Sequence, residues 1–309
     1  MIKRESVNSV DNELLLLDRI EVIKSTNQKY DLEHNAYLSF SGGKDSTLLH
    51  YLLDKALPDN QIPRVFIDTG IEYQMIREFV LEQAKNDSRF VIIKPSKQIK
   101  RVLEDYGYPF KSKEHSTKLH EWQQGNRDTK SIKKYLGDGE FSCPKQLRYQ
   151  FSDDFHLKVS QFCCHKLKKE PVKKWSKQNN RPIAITGMRK EEGGQRTTLG
   201  CILTDKKGNV VKFHPFAVVS DEWENWFVNE LETVRGGLIL CKLYYPPYNF
   251  KRTGCCGCPF SLELQEQLET MERLLPNQRK MAEIIWQPVY EEYRRINYRL
   301  KKYMQIKLF

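Results

Sequence analysis

The chain has 309 residues, 39% hydrophobic and 11% aromatic, enough for one large α/β domain with appendages or for two smaller domains. No apolar run reaches the roughly 18–20 residues that cross a bilayer, and the opening MIKRESVNSVDNE has no apolar signal core, so the expectation is a soluble cytoplasmic protein without a membrane partner. A formal net charge of +11 favours polyanionic partners, and eight cysteines in a reducing compartment read as metal ligands, reactive thiols or buried apolar residues rather than disulfides.

In chain order, residues 11–27 predict a helix capped by Asp11, with Leu14, Leu17, Ile20 and Ile23 along one face. Residues 36–40 read as a short buried strand running into Ser41-Gly42-Gly43-Lys44-Asp45-Ser46, and a helix continues to Ala56 before Pro58 stops it. A second strand over 64–67 ends in Asp68-Thr69-Gly70; a helix over about 72–85 and a third strand over 90–93 follow. A fourth strand, 183–186, comes only after a long insertion, about 106–180, rich in Lys, Gln and aromatics. This alternation predicts a Rossmann-like, doubly wound parallel sheet. Residues 200–203 and 210–213 flank a polar turn and read as a hairpin, Ser220 caps a helix to 231, and the tail beyond the cysteine-rich turn at 254–260 is helical and basic. The expected domains are an N-terminal helix (1–34), a nucleotide-binding α/β domain (35–253) carrying the insertion, and a cysteine segment with a helical tail (254–309).

The loop Ser41–Ser46 joins a buried strand to a helix N-terminus. Its glycines let backbone N–H groups close on an anion, and the helix dipole favours negative charge. Walker A spacing is absent. The loop matches instead the SGGxDS loop of the PP-loop ATP pyrophosphatases, which implies an adenine nucleotide, ATP, held by Ser39, Ser41, Gly42, Gly43, Asp45 and Ser46. Two roles fit Asp45: a ligand of phosphate-bound Mg²⁺, or a helix cap. Lys44, at the variable position, is the other catalytic candidate. Asp68, Thr69 and Gly70 end a strand at the carboxyl edge, where open α/β sheets bind ligands. They resemble the DTG element of the phosphoadenosine phosphosulfate (PAPS) reductase family. The stretch from Thr186 to Arg196 looks like that family's arginine element, which implies that Gly187, Arg189 and Arg196 face the anionic groups of the nucleotide. Gly193 stands where the family has serine. Residues 106–114 resemble a stretch common in uncharacterised members of this family.

Cys163-Cys164 precedes Cys255-Cys256-Gly257-Cys258-Pro259 by about ninety residues, and Cys255 and Cys258 have the C-x-x-C spacing that grips a metal from a tight turn. Lys166, Lys168 and Lys169 on one side, and Lys251 and Arg252 on the other, are expected to depress the thiol pKa values. The pattern resembles the 4Fe–4S site of assimilatory adenylyl-sulfate reductases, which implies Cys163, Cys164, Cys255 and Cys258 as ligands. A structural Zn²⁺, a redox dithiol and a three-cysteine cluster with an open iron stay open, and so does the part of Cys256. Cys201 and Cys241 read as core; Cys143 is a candidate reactive thiol.

Taken in order, these motifs resemble the PAPS reductase family over about residues 35–260. Two departures separate the chain from true sulfonucleotide reductases: the loop has the intact ATP form, and no cysteine follows Cys258. The resemblance therefore implies ATP-dependent adenylyl transfer coupled to sulfur transfer, as in the PP-loop enzymes of tRNA thiolation and DNA phosphorothioation. A sulfonucleotide reductase and a non-catalytic nucleotide- and metal-binding adaptor are the alternatives. Expected partners are tRNA or DNA and a sulfur donor such as a cysteine desulfurase. Arg294, Arg295, Arg299, Lys301 and Lys302, interleaved with Tyr293, Tyr298 and Tyr303, form the candidate nucleic-acid face.

Overall fold

The computed structural model describes residues 4–301. In order they form α1 (Arg4–Tyr30), α2 (Leu32–Asn35), β1 (Ala36–Ser39), α3 (Lys44–Ala56), β2 (Arg64–Ile67), α4 (Gln74–Asn86) and β3 (Phe90–Ile93). Then come α5 (Ile99–Tyr106), α6 (Lys113–Gln123), α7 (Lys130–Leu136), α8 (Phe162–Cys164), α9 (Glu170–Gln178) and β4 (Ile183–Ile185). The chain continues through β5 (Ile202–Thr204), β6 (Val210–Phe213), α10 (Asp221–Arg235), α11 (Leu264–Leu274) and α12 (Pro276–Arg295).

These elements fall into two compact units. The first gathers the residues up to 68, 74–93 and 172–253; the second gathers 69–73, 94–171 and 254 onward. The first unit holds one six-stranded sheet in the order β3-β2-β1-β4-β6-β5, parallel except for β5. Ala36, Tyr37 and Leu38 of β1 and Arg64, Val65 and Phe66 of β2 are buried, as strands covered on both faces must be. The chain steps from β1 outward to β2 and β3, then returns to place β4 on the other flank of β1. The order therefore reverses at β1, and the crevice beyond its carboxyl end is where such sheets take ligands.

The second unit is helical. Leu264, Leu268 and Met271 of α11 pack with Ala282, Trp286, Val289, Tyr290 and Tyr293 of α12, all buried.

Several expectations need correcting. Helix α1 starts by Arg4, so Asp11 lies inside it and caps nothing. Only Ile20 and Ile23 of its apolar stripe are buried, while Leu14 and Leu17 are each 58% exposed. The 200–213 hairpin forms, but β5 is an edge strand exposed at every residue, and Cys201 beside it is half-buried rather than core. Cys241 is buried, in a loop before a 3₁₀ turn and not in a strand. The basic face expected of the last helix is also altered. Tyr293 and Arg294 are buried, Arg294 pairs with Glu283, and the helix stops at Arg295, so Arg299 lies beyond it. Lys302 and Tyr303 lie outside the described residues.

Candidate functional site

Residues Ser41–Ser46 link β1 to α3. Gly42 adopts φ +71°, and a Cβ there would come within 2.9 Å of Ile76 and Val80 of α4, so only glycine lets the turn sit this close. The hydroxyls brace the loop. Ser46 Oγ accepts from the Ser41 N–H (3.1 Å) and donates to the Gly43 carbonyl (3.0 Å), and Thr47 Oγ1 donates to that same oxygen (2.9 Å). Gly43 is the N-cap of α3 and has no side chain to cap it, so the helix dipole points at the loop. Ser39 is the last residue of β1.

The arginine segment reaches the loop through Gly187. A Cβ there would lie 2.9 Å from Asp45 Cβ and 3.0 Å from the Asp45 carbonyl oxygen, so this backbone packs directly on Asp45. Arg189, only 3% exposed, meets Asp221 (2.6 Å), Glu191 (3.2 Å) and, through Nε, Glu224 (3.3 Å). Lys44 Nζ lies 2.9 Å from the other oxygen of Glu224. Arg196 pairs with Glu192, to which Arg252 is also close (3.8 Å). The two cations nearest the loop, Lys44 and Arg189, thus face carboxylates.

Glu224 is the residue that sequence reasoning missed. It is fully buried on α10; both oxygens are within ion-pair distance of a cation, yet neither meets hydrogen-bond geometry. Burial, then the Asp45 charge, pushes its carboxyl up to about 7. Asp45 is also raised, by burial first and then by Glu192, against the pull of Arg189 and Lys44. Tyr244 and Thr253 were missed as well: Tyr244 Oη accepts from the Lys44 N–H (3.0 Å) and meets Thr253 Oγ1 (2.6 Å). A buried acid in Asp-Glu-Trp-Glu-Asn-Trp has no signal beyond its place between two tryptophans.

Asp68 is buried and paired with Arg77 (3.0 Å). Thr69 donates to Glu72 through its N–H (3.0 Å) and its hydroxyl (2.5 Å), and Gly70 takes φ +79°. The Thr69–Tyr73 segment belongs with the cysteines. The Ile71 carbonyl accepts from the Cys256 N–H (2.6 Å), and Glu72 bridges Cys255.

Cys163 and Cys164 lie on α8, and Cys255 and Cys258 on the loop before α11. The four share one neighbourhood. Burial raises the Cys163 thiol above its usual range, and the charges of Cys255, Cys164 and Cys258 add to that shift. Burial, then Cys255 and Cys164, likewise raises Cys258. For Cys163, Cys255 and Cys258 the expected depression by lysines is overturned, because desolvation and the neighbouring thiols outweigh the cations. Lys168 alone meets the thiols, chiefly Cys255, whereas Lys166 pairs with Glu170 (2.8 Å), Lys169 and Lys251 are exposed, and Arg252 is held by Glu192. Cys256 turns away, its Sγ on Met271 Sδ (3.5 Å). Among the described residues no three His, Cys, Asp or Glu side chains are arranged around a single ion. The donor chemistry, one buried and three half-buried thiols with Lys168 beside them, fits thiolate-bound iron.

Helix α12 shapes the cysteine loop. Trp286 Nε1 donates to the Cys256 carbonyl (2.9 Å), Tyr290 Oη to that of Gly257, and Tyr293 Oη to that of Pro259 (2.9 Å). Residues 286, 290 and 293 repeat at helical spacing, a stripe that reads as core until the polar tips are followed. Cys143 is buried beside His115 Nδ1 (4.0 Å), and burial raises its thiol, which argues against a reactive role.

The sheet order and the glycine loop between β1 and α3 define an α/β protein with a six-stranded, mostly parallel sheet. The chain belongs to the phosphoadenosine phosphosulfate reductase domain family, whose model matches residues 35–143 and 133–260. It is 24% identical over 233 residues to an uncharacterized protein, MJ0973, of Methanocaldococcus jannaschii, covering 74% of this chain and 42% of that protein's length. Similar solved structures include the phosphoadenylyl-sulfate reductase of Candida auris, at 14% identity and TM-score 0.47 over 82% of this chain and 96% of that one. The U34-tRNA thiolase NcsA of Methanococcus maripaludis with its 4Fe–4S cluster is similar at 14% identity and TM-score 0.41, over 93% of this chain and 80% of that one. No helix among the described residues is long and apolar enough to cross a membrane.

Proposed function

We propose that this protein binds ATP–Mg²⁺ on the Ser41–Ser46 loop, transfers the adenylyl group to an oxygen of an acceptor and releases pyrophosphate. A sulfur nucleophile then takes the place of that oxygen, and AMP leaves with it. The observation that carries this reading is the intact loop at the N-terminus of α3, with Gly42 in a conformation that seats the turn against α4. Lys44 and Arg189 stand ready as counter-charges for phosphates, and Asp45 as the hard oxygen ligand that Mg²⁺ takes. Asp68, Thr69, Gly70 and Arg196 are the remaining nucleotide-site candidates. Cys163, Cys164, Cys255 and Cys258 would hold a 4Fe–4S cluster, which supplies iron as a Lewis acid or an electron store when bound. A nucleic acid is the acceptor class that suits the +11 charge.

Calorimetry with ATP–Mg²⁺, adenylyl sulfate and PAPS tests the nucleotide. Tighter binding of ATP, with conversion to AMP and pyrophosphate, is expected. A clear preference for either sulfonucleotide would restore the reductase reading in its place.

A further inference from the structure

The second unit holds a pair of cations, Lys111 and Arg299, that make no ion pair among the described residues. Lys111 and Arg299 both adopt left-handed backbone, φ 55° and 60°, which side chains other than Gly and Asn rarely take. Both are tied to one carbonyl, that of Pro259, the residue after Cys258. Arg299 Nη1 donates to it directly (2.6 Å). The Lys111 N–H donates to Tyr293 Oη (2.7 Å), which itself donates to the Pro259 oxygen (2.9 Å).

A chain of hydrogen bonds fixes the ammonium of Lys111. His115 is fully buried, with Nε2 facing Gln150 Oε1 (2.7 Å) and Nδ1 facing the Tyr135 hydroxyl (2.9 Å). The amide oxygen only accepts, so Nε2 carries the proton and Nδ1 accepts from Tyr135. The Tyr135 oxygen is left to accept from Lys111 Nζ (3.3 Å). Burial pulls the ammonium of Lys111 below its usual range, and the nearby Arg299 adds to this against Cys143 and Glu114. Among the described residues neither cation makes an ion pair, whereas Arg294 and Arg295 on the adjoining helix each have a glutamate. Two half-buried like charges, each held by neutral donors and acceptors, disfavour one another, and a bound anion would relieve that repulsion.

We infer that Lys111 and Arg299 form an anion subsite beside the cysteine loop, one that takes a phosphate group. The phosphate comes from a polynucleotide backbone or from free phosphate, and the two sources are separable. The inference deepens the proposed function only in the first case; the subsite itself requires neither ATP turnover nor an occupied cysteine centre.

The test uses the full-length protein and two neutral variants, Lys111→Asn and Arg299→Asn, chosen because Asn tolerates the left-handed backbone. A bulk tRNA probe is titrated by fluorescence anisotropy at several chloride concentrations. In parallel, the rise in melting temperature on adding inorganic phosphate is compared with chloride at equal ionic strength. The subsite predicts that each variant weakens tRNA about tenfold or removes part of the phosphate-induced shift, while Lys111→Arg keeps both responses and ATP binding stays intact. A phosphate effect without a tRNA effect assigns the subsite to free phosphate. Wild-type responses in both Asn variants, or a loss in Lys111→Arg equal to that in Lys111→Asn, would overturn it. Loss of ATP binding in wild type would count against the proposed function instead.

Discussion

Glu224 shows how one buried carboxylate couples the loop to the arginine segment. Its oxygens face Lys44 (2.9 Å) and Arg189 (3.3 Å), and Asp45 is close enough to push its carboxyl further up. A carboxyl raised from 4.5 to about 7 holds its proton better folded than unfolded, so its contribution to stability is present below about 4.5 and is lost as pH climbs through about 7. Over that window wild type should lose stability relative to Glu224→Gln, by on the order of 3 kcal/mol. Urea unfolding of both proteins at pH 5 and pH 8 measures it, and parallel profiles would remove the effect. His115 has the opposite sign. Burial lowers it to about 4, so the unfolded chain takes up a proton first as pH falls, and stability present above about 6.5 declines toward pH 4. His115→Gln should flatten that acid limb in the same experiment, whatever it costs in absolute stability.

Among the elements, α12 acts as a template for the cysteine loop. Gly257 adopts φ +61°, and a Cβ there would meet the Tyr290 hydroxyl and lie 2.7 Å from Ala282 Cβ. Gly257→Ala therefore forces the loop off the helix. Iron and acid-labile sulfide per chain, assayed after anaerobic purification, should fall to background, as they should in Cys258→Ser; Cys201→Ser should retain both. One stoichiometric zinc and no iron in wild type would replace the cluster with a structural metal. The loop between β1 and α3 was legible because strand, glycines and helix start follow one another within residues 36–44, and the hairpin because its turn is local. What the sequence hid depends on distance along the chain. Trp286, Tyr290 and Tyr293 lie about thirty residues from the carbonyls they serve, and Glu224 some 180 from Lys44. Leu14 and Leu17 misled for a related reason: periodicity marks an apolar face, but only a neighbouring element can cover it.

At the scale of the whole molecule, the question is where an excess of eleven positive charges is free to act. Much of the C-terminal basic stretch is spent internally: Arg279 and Arg294 pair with Glu283, and Arg295 with Glu292. Helix α9 differs. Lys173, Lys174 and Lys177 are exposed, none of its residues is buried, and none of these three lysines makes an ion pair among the described residues. A polynucleotide docking there would shed condensed counterions, so log affinity should fall linearly with log salt, by roughly 0.7–0.9 per phosphate neutralised. Replacing Lys173, Lys174 and Lys177 together by Ala should reduce that slope by about 2 and weaken tRNA or DNA at low salt most. Arg295→Ala should leave the slope close to wild type, because its charge is already matched by Glu292. ATP binding, measured on the same proteins, serves as the check on folding. The contrast between the two variants decides the matter: equal slopes in wild type and the triple variant would take α9 out of the interface, and a large change in Arg295→Ala would return the end of α12 to it.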